Sequence, residues 1–201
     1  MVRAHIKAED YQAADSLLSN FQLTCNEEDW MEIYLFNARD LLLQNQKVMG
    51  NKCLDKIIYA ISKSPMLEEY DYQRLLSESY FLKEDYQKAQ AVLERLLQKS
   101  PDLIPQTALL AMCYQKTGRP KHATELLDRL DQLRGAYQYG SVDYAIAQYY
   151  SFLGDDNNVI KYLMKAVAAG RWYDPVSFQN DLFFKDYAST QSFDQIMNFW
   201  H

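Results

Sequence analysis

Cysteine is scarce in this chain, and the way its three copies are placed excludes a disulfide framework. Cys25, Cys53 and Cys113 are an odd number, stand far apart and include no C-x-x-C pair, so they read as buried free thiols of a reducing compartment. Five prolines and six glycines in 201 residues fit an ordered, mostly helical composition. Cationic charge is short too: 21 Lys and Arg against 27 Asp and Glu leave a net charge of −6. That balance argues against a nucleic-acid partner, whose phosphates need clustered Lys and Arg, and against anionic membrane surfaces. No apolar run is long enough to span a bilayer. The opening Met1-Val-Arg-Ala-His-Ile-Lys-Ala lacks the apolar stretch of a secretory signal. The expectation is a cytoplasmic protein without membrane insertion.

What the chain has is repetition. Leu76, Ser77, Tyr80, Ala89 and Leu93 return 34 residues later as Leu110, Ala111, Tyr114, Ala123 and Leu127, a period that signals an array of helical hairpins. A pair of antiparallel helices cannot bury its apolar side alone, so each unit stacks on the next. In the central unit Tyr70 to Phe81 reads as a first helix, Lys83-Glu84-Asp85 as the turn and Tyr86 to Lys99 as the second helix. Ala89 is small because the helices cross most closely there, where a larger side chain would overpack. Pro101 stops the second helix. The next unit places Gly118 at its turn, where positive φ is cheap for glycine, and Pro120 at the start of its second helix. After a looser connection from Arg134 to Gly140, the pattern resumes as Ile146, Ala147, Tyr150, Gly154, Val159, Leu163 and Ala166.

Toward the N-terminus Glu9-Asp10-Tyr11-Gln12 echoes Glu84-Asp85-Tyr86-Gln87, which puts Tyr11 at the start of a second helix and leaves Met1 to Lys7 for the first. Between these units the reading expects a first helix from Trp30 to Gln44, a stretched turn from Asn45 to Gly50, and a second helix from Lys52 to Lys63. Cys53 and Ile57 then stand in the Ala and Leu places, and Pro65 ends the unit.

These residues resemble the tetratricopeptide repeat family, whose pattern runs W-x-x-L-G-x-x-Y, A-x-x-x-F, P. Gln73 and Thr107 stand at the consensus Trp, and Ser77, Ala111 or Ala147 at the consensus Gly. The resemblance implies an all-α, right-handed superhelical solenoid of four to five hairpins forming one domain: a truncated repeat over 1–24, repeats over 28–66, 70–103, 104–137 and 140–170, and a capping segment over 171–201. Ala166-Val-Ala-Ala-Gly170, Phe178-Gln-Asn-Asp-Leu-Phe183 and Phe193-Asp-Gln-Ile-Met197 are similar to the closing segment of many bacterial members, which folds over the open end of the stack. Trp172, Tyr173, Phe178, Phe183, Phe184, Tyr187, Phe193, Phe199 and Trp200 supply its apolar mass.

The resemblance also implies function: such arrays hold extended peptides on the concave surface lined by first helices. With Tyr80, Tyr114 and Tyr150 as fixed points, the groove-facing places hold Arg74, Leu75, Glu78 and Phe81, then Leu109 and Met112, then Tyr144, Gln148 and Phe152. The strip is apolar and aromatic at its centre with charge at one end, which suits a protein or peptide with a few apolar anchors. The carboxylate clamp for chaperone tails is missing, because its places hold Arg74, Glu78, Leu109, Ser141 and Ala145. No nucleophile–base pair, metal-ligand spacing or cofactor motif appears; His5, His122 and His201 are isolated. Asn26 reads as a helix cap with Glu27, Glu28 and Asp29 behind it, and Gly154-Asp155-Asp156-Asn157-Asn158 as turn chemistry. The reading is a non-enzymatic interaction scaffold without cofactor, with self-association left open. Its alternatives are the regulatory or sensor region of a larger signalling or transcription protein, and a secretion chaperone.

Overall fold

The computed structural model describes residues 2–136, 138–172 and 177–198, and among these the chain is all-α with no strand. Helices follow in pairs joined by short turns: α1 (Val2–Lys7) and α2 (Tyr11–Thr24), α3 (Glu27–Leu43) and α4 (Lys47–Lys63), α5 (Tyr70–Leu82) and α6 (Tyr86–Lys99), α7 (Ile104–Lys116) and α8 (Pro120–Gln132), α9 (Ser141–Leu153) and α10 (Asp156–Ala168). Two 3₁₀ turns, Phe178–Asn180 and Leu182–Phe184, and a short helix α11 (Gln191–Met197) come after them. The helices belong to two compact units, one ending at Val92 and the other starting at Leu93.

One turn is used five times. Glu9, Asn45, Glu84, Gly118 and Gly154 all lie in the left-handed region, with φ of 59°, 62°, 64°, 78° and 73°. In each case the next residue donates its backbone N–H to the carbonyl five positions earlier: Asp10 to His5, Gln46 to Leu41, Asp85 to Tyr80, Arg119 to Tyr114 and Asp155 to Tyr150, at 2.8 to 3.0 Å. This bond satisfies a carbonyl the first helix leaves over and reverses the chain. Asp10, Asp85 and Asp155 also accept from the backbone N–H three residues on, at 3.2, 3.3 and 3.2 Å, capping the second helix. The Glu-Asp-Tyr-Gln echo is therefore a turn code: a left-handed Glu, a capping Asp and the first helical residue.

The third residue after each of these second-helix starts is small or β-branched and buried: Ala14, Gly50, Ala89, Ala123 and Val159. This corrects the reading of the second unit, where α4 begins at Lys47 and not at Lys52. Asn45 to Gly50 is not a stretched turn; only Gln44 to Gln46 are outside helix. Gly50, not Cys53, occupies the close-contact place: a Cβ there would stand 3.0 Å from Leu42 Cγ and 3.3 Å from the Ala38 carbonyl. Likewise α3 starts three residues before Trp30, because Asn26 Oδ1 accepts the Asp29 N–H at 2.8 Å and caps it there.

In the first unit α1 packs on α2 and α3, α3 on α4 and α5, and α4 on α5. Ile6, Leu18, Met31, Tyr34, Leu35, Leu54, Ile57 and Leu75 form its interior, and Trp30 meets Tyr34 edge-on at 5.1 Å. In the second unit α7 packs on α8 and α9, α9 on α10, and α10 on α11. Its connection into α9 is held by Arg134, whose guanidinium grips both Asp143 carboxylate oxygens at 2.5 and 2.8 Å, a bidentate geometry that fixes direction as well as distance. Gly140, with φ of 72°, then abuts the Ala166 carbonyl so closely that a Cβ would overlap it.

Gly118 has the same handedness, but nothing lies within 4 Å of its missing Cβ. Gly118→Ala should cost about 1 kcal/mol, the strain alone, whereas Gly140→Ala adds a backbone collision and should cost more than about 2 kcal/mol. Urea denaturation of the two variants tests this; equal losses would mean that the contact between Gly140 and α10 is absent in solution.

Candidate functional site

The first helices carry every groove-facing residue named from the sequence, and the two units treat them differently. In the first unit, Arg74 of α5 stands at the centre of an ion-pair lattice. Its Nη2 pairs with Glu32 of α3, its Nε lies 3.6 Å from Asp71 and its Nη1 3.5 Å from Glu78. Glu78 pairs in turn with Arg39 of α3. One helix further on, Arg3 Nε lies 2.9 Å from Asp40 Oδ2, with the guanidinium 5.2 Å from the Phe36 ring. Burial raises the Asp40 carboxyl above the ordinary carboxylate range, with Arg3 and Lys7 acting against it. Arginines and carboxylates thus alternate across α1, α3 and α5 and largely neutralise one another. Leu75 and Phe81 are buried; Leu75 belongs to the interior of the unit, and Phe81 meets Tyr86 edge-on.

In the second unit Leu109 is half-buried and Met112 is fully enclosed, so Met112 serves packing. The Gln115 amide donates to the Tyr149 hydroxyl at 2.5 Å, tying α7 to α9, and the Lys116 ammonium lies 4.9 Å from the half-buried Phe152 ring. The groove-facing part of α9 is occupied by the chain itself. Tyr144 is buried, donates its hydroxyl to Asp181 Oδ2 at 2.9 Å and accepts the Phe178 backbone N–H at 2.8 Å. The Gln148 amide donates to the same Asp181 oxygen at 2.6 Å, and the Ser151 hydroxyl donates to the Phe183 carbonyl. The rings of Phe178 and Phe184 each stand 5.4 Å from Tyr144, edge-on, and the Arg171 guanidinium lies 4.5 Å from the same ring. Burial first, and then the Asp181 charge, push the Tyr144 hydroxyl well above its usual value. Phe178 holds φ of 53°, an unfavourable conformation for an aromatic residue, offset by these contacts.

Asp181, Ser151 and Arg171 are not among the site residues named from the sequence. Asp181 offered a faint signal, a single carboxylate between two aromatic clusters. Further along, Tyr187 and Phe193 are buried with Phe178 and Phe184 against α9 and α10, and Tyr187 donates its hydroxyl to Asp156 at 2.8 Å. Trp172 does not join them and is 76% exposed. Tyr173, Phe199, Trp200 and His201 lie outside the described residues. His122 is exposed on α8 beside the Tyr114 ring, and His5 stands 3.2 Å from Asp10. Among the described residues no cluster of His, Cys, Asp and Glu could hold a metal ion, and no helix is long and apolar enough to cross a membrane.

Comparison with known families agrees with the repeated turn. The tetratricopeptide repeat family matches residues 80–137 and, through a second of its profiles, residues 144–169. Residues 80–137 and 144–169 are tetratricopeptide repeats. These repeats make the chain a protein-interaction scaffold and indicate protein partners. Solved structures titled MamA MSR-1 and MamA AMB-1 align with 84% and 83% of this chain and 91% and 86% of their own, at 20% and 19% identity and TM-scores of 0.44 and 0.40. At that distance they add nothing to the repeat assignment. No curated protein matches the chain.

Tyr144→Phe removes the hydroxyl that serves both Asp181 and the Phe178 N–H, so each loses one hydrogen bond while Asp181 keeps that from Gln148. The expected loss is about 1–3 kcal/mol, with faster hydrogen exchange at Phe178; unchanged exchange there would show that the segment is held by its rings alone. Burial pushes the Cys53 and Cys113 thiols up to about 11 and about 12, while Cys25 is half-buried. At pH 8 a thiol reagent should label Cys25 quickly and the other two only on unfolding, as mass spectrometry of the labelled peptides can read.

Proposed function

We propose that this protein is a non-enzymatic module that holds an extended segment of a partner protein on the groove-facing positions of its first helices. The observation that carries this reading is the seat of the chain's own Phe178–Phe184 stretch on α9. Two of its backbone groups are held by side chains, the N–H of Phe178 by Tyr144 and the carbonyl of Phe183 by Ser151, and its carboxylate Asp181 is held by Tyr144 and Gln148. That stretch is made of two 3₁₀ turns, but the way it is held, with backbone groups bonded by side chains and aromatic anchors enclosed, is the way a groove holds a partner segment.

With α9 occupied in this way, the groove-facing side chains of the second unit with surface to offer are Leu109 and Phe152, with Gln115 and Lys116 beside Tyr149 and Phe152. A partner segment meeting them needs an apolar anchor for Leu109 and Phe152. In the first unit Arg74 and Glu78 act through the ion-pair lattice, whose rim carboxylates Glu32 and Asp71 have side chains 42% and 45% exposed and favour a cationic contact. Three unpaired thiols support a reducing, cytoplasmic setting.

A photo-crosslinking residue placed at Leu109 or Phe152 should capture the same partner from native cells, and one placed at the outer-face His122 should not. Leu109→Asp should lower that capture at least tenfold while the melting temperature holds within a few degrees. Equal adducts from position 122, or undiminished capture with Leu109→Asp, would overturn the groove reading.

A further inference from the structure

A second recessed surface of the second unit is independent of the groove. Between α10 and α11 lies a pocket with a cavity volume of about 380 Å³, within the roughly 300–1,000 Å³ of small-molecule sites. Its walls are apolar: Ile160, Met164, Val167 and Ala168 from α10 and Ile196 from α11. Met164 is 59% exposed, so the apolar lining continues to the mouth.

The polar groups at this pocket are few among the described residues, and one of them, the Lys165 ammonium, is donor-only. Lys165, Ser192 and Gln195 complete the lining, giving an ammonium, a hydroxyl and an amide, all able to donate hydrogen bonds. No carboxylate is among the described lining residues, although the chain as a whole carries −6. Asp156 of α10 is engaged by the Tyr187 hydroxyl, and Asp194 of α11 is not part of the lining. Lys161 and Lys165 both lie over the Tyr162 ring, at 5.3 and 4.8 Å; that ring is not part of the lining, and of the two lysines Lys165 is the one that borders the pocket. An apolar cleft of this volume with donors at its edge is complementary to an apolar tail carrying an anionic head.

We propose that the pocket between α10 and α11 is a binding site for a medium-chain alkyl carboxylate. The alkyl tail lies among Ile160, Met164, Val167, Ala168 and Ile196, and the carboxylate meets Lys165 with Ser192 and Gln195. Because α11 supplies one wall and α10 the other, an occupied pocket ties the C-terminal helix to the last hairpin. Binding is therefore linked to the stability of that packing.

Decanoate and decyltrimethylammonium, each below its micelle-forming concentration, and decanol below its solubility limit separate the contributions of head and tail. Decanoate in large excess over its dissociation constant should raise the melting temperature by about 5 °C and shift the methyl resonances of Met164, Ile160 and Ile196 in a saturable way. Decanol should bind more weakly, and the cation should leave the spectrum unchanged. Ala168→Trp, on an exposed position at the pocket edge, should keep the fold and abolish the saturable shifts. Lys165→Gln should weaken decanoate at least tenfold and leave decanol unchanged. Absence of saturable decanoate binding, equal binding by Ala168→Trp, or equal loss of both ligands in Lys165→Gln would overturn the proposal; an apolar side chain of a partner protein would then be the better occupant.

Discussion

Everything in this fold depends on one backbone hydrogen bond made five times. After each first helix a single residue turns left-handed, and the next N–H closes onto the carbonyl five positions back. That bond fixes where the second helix begins, and so which of its residues, three positions in, meets the first helix at closest approach. Where the turn is tight the small residue follows: Ala14, Gly50, Ala89 and Ala123 are each placed by the turn before them. Glycine at the left-handed place avoids a strain that Glu9, Asn45 and Glu84 must carry, roughly 1–2 kcal/mol each. The Asp after Glu9 and Glu84 offsets part of it by capping the next helix.

The same geometry sets the direction of each first helix and hence which side chains look outward. On α9 that face is covered by the chain's own aromatic and acidic stretch, with Asp181 acting as the polar centre and Phe178 and Phe184 as anchors. On α1, α3 and α5 it is covered by arginines and carboxylates that mainly bind one another. The two units thus answer the same problem, a polar face beside an interior, by different chemistry: enclosure in one and mutual neutralisation in the other. Both leave a limited set of side chains with surface to offer.

The helices were legible in the sequence because their signals are local. A three- and four-residue apolar period, Pro120 at a helix start and the Glu-Asp turn code all act within a few residues. Gly50 was misleading for a physical reason: Asn45 and Gly50 together carry turn composition, yet the glycine is there to let α4 approach Leu42 and Ala38. The faces of the first helices were legible to the same extent, since period alone assigns them. Their exposure was not. Arg74 and Glu78 are engaged by Glu32 and Arg39, some forty residues away, and Tyr144 and Gln148 by Asp181 more than thirty residues on; no short-range pattern encodes those meetings. Leu75 and Met112 illustrate the remaining ambiguity, because an apolar residue one step round a helix can serve interior or groove equally well by spacing.

The contact of Gly140 with Ala166 sets the topology of the last hairpin. Chain enters that hairpin at Gly140 and leaves it through Ala166 and Gly170, and those points touch. A module whose entrance and exit coincide is a closed loop hung from the rest of the chain at one spot. Copies of such a loop can be added or removed there while the ends being joined stay where they were, so the unit that builds the stack is also the natural unit in which its length can change.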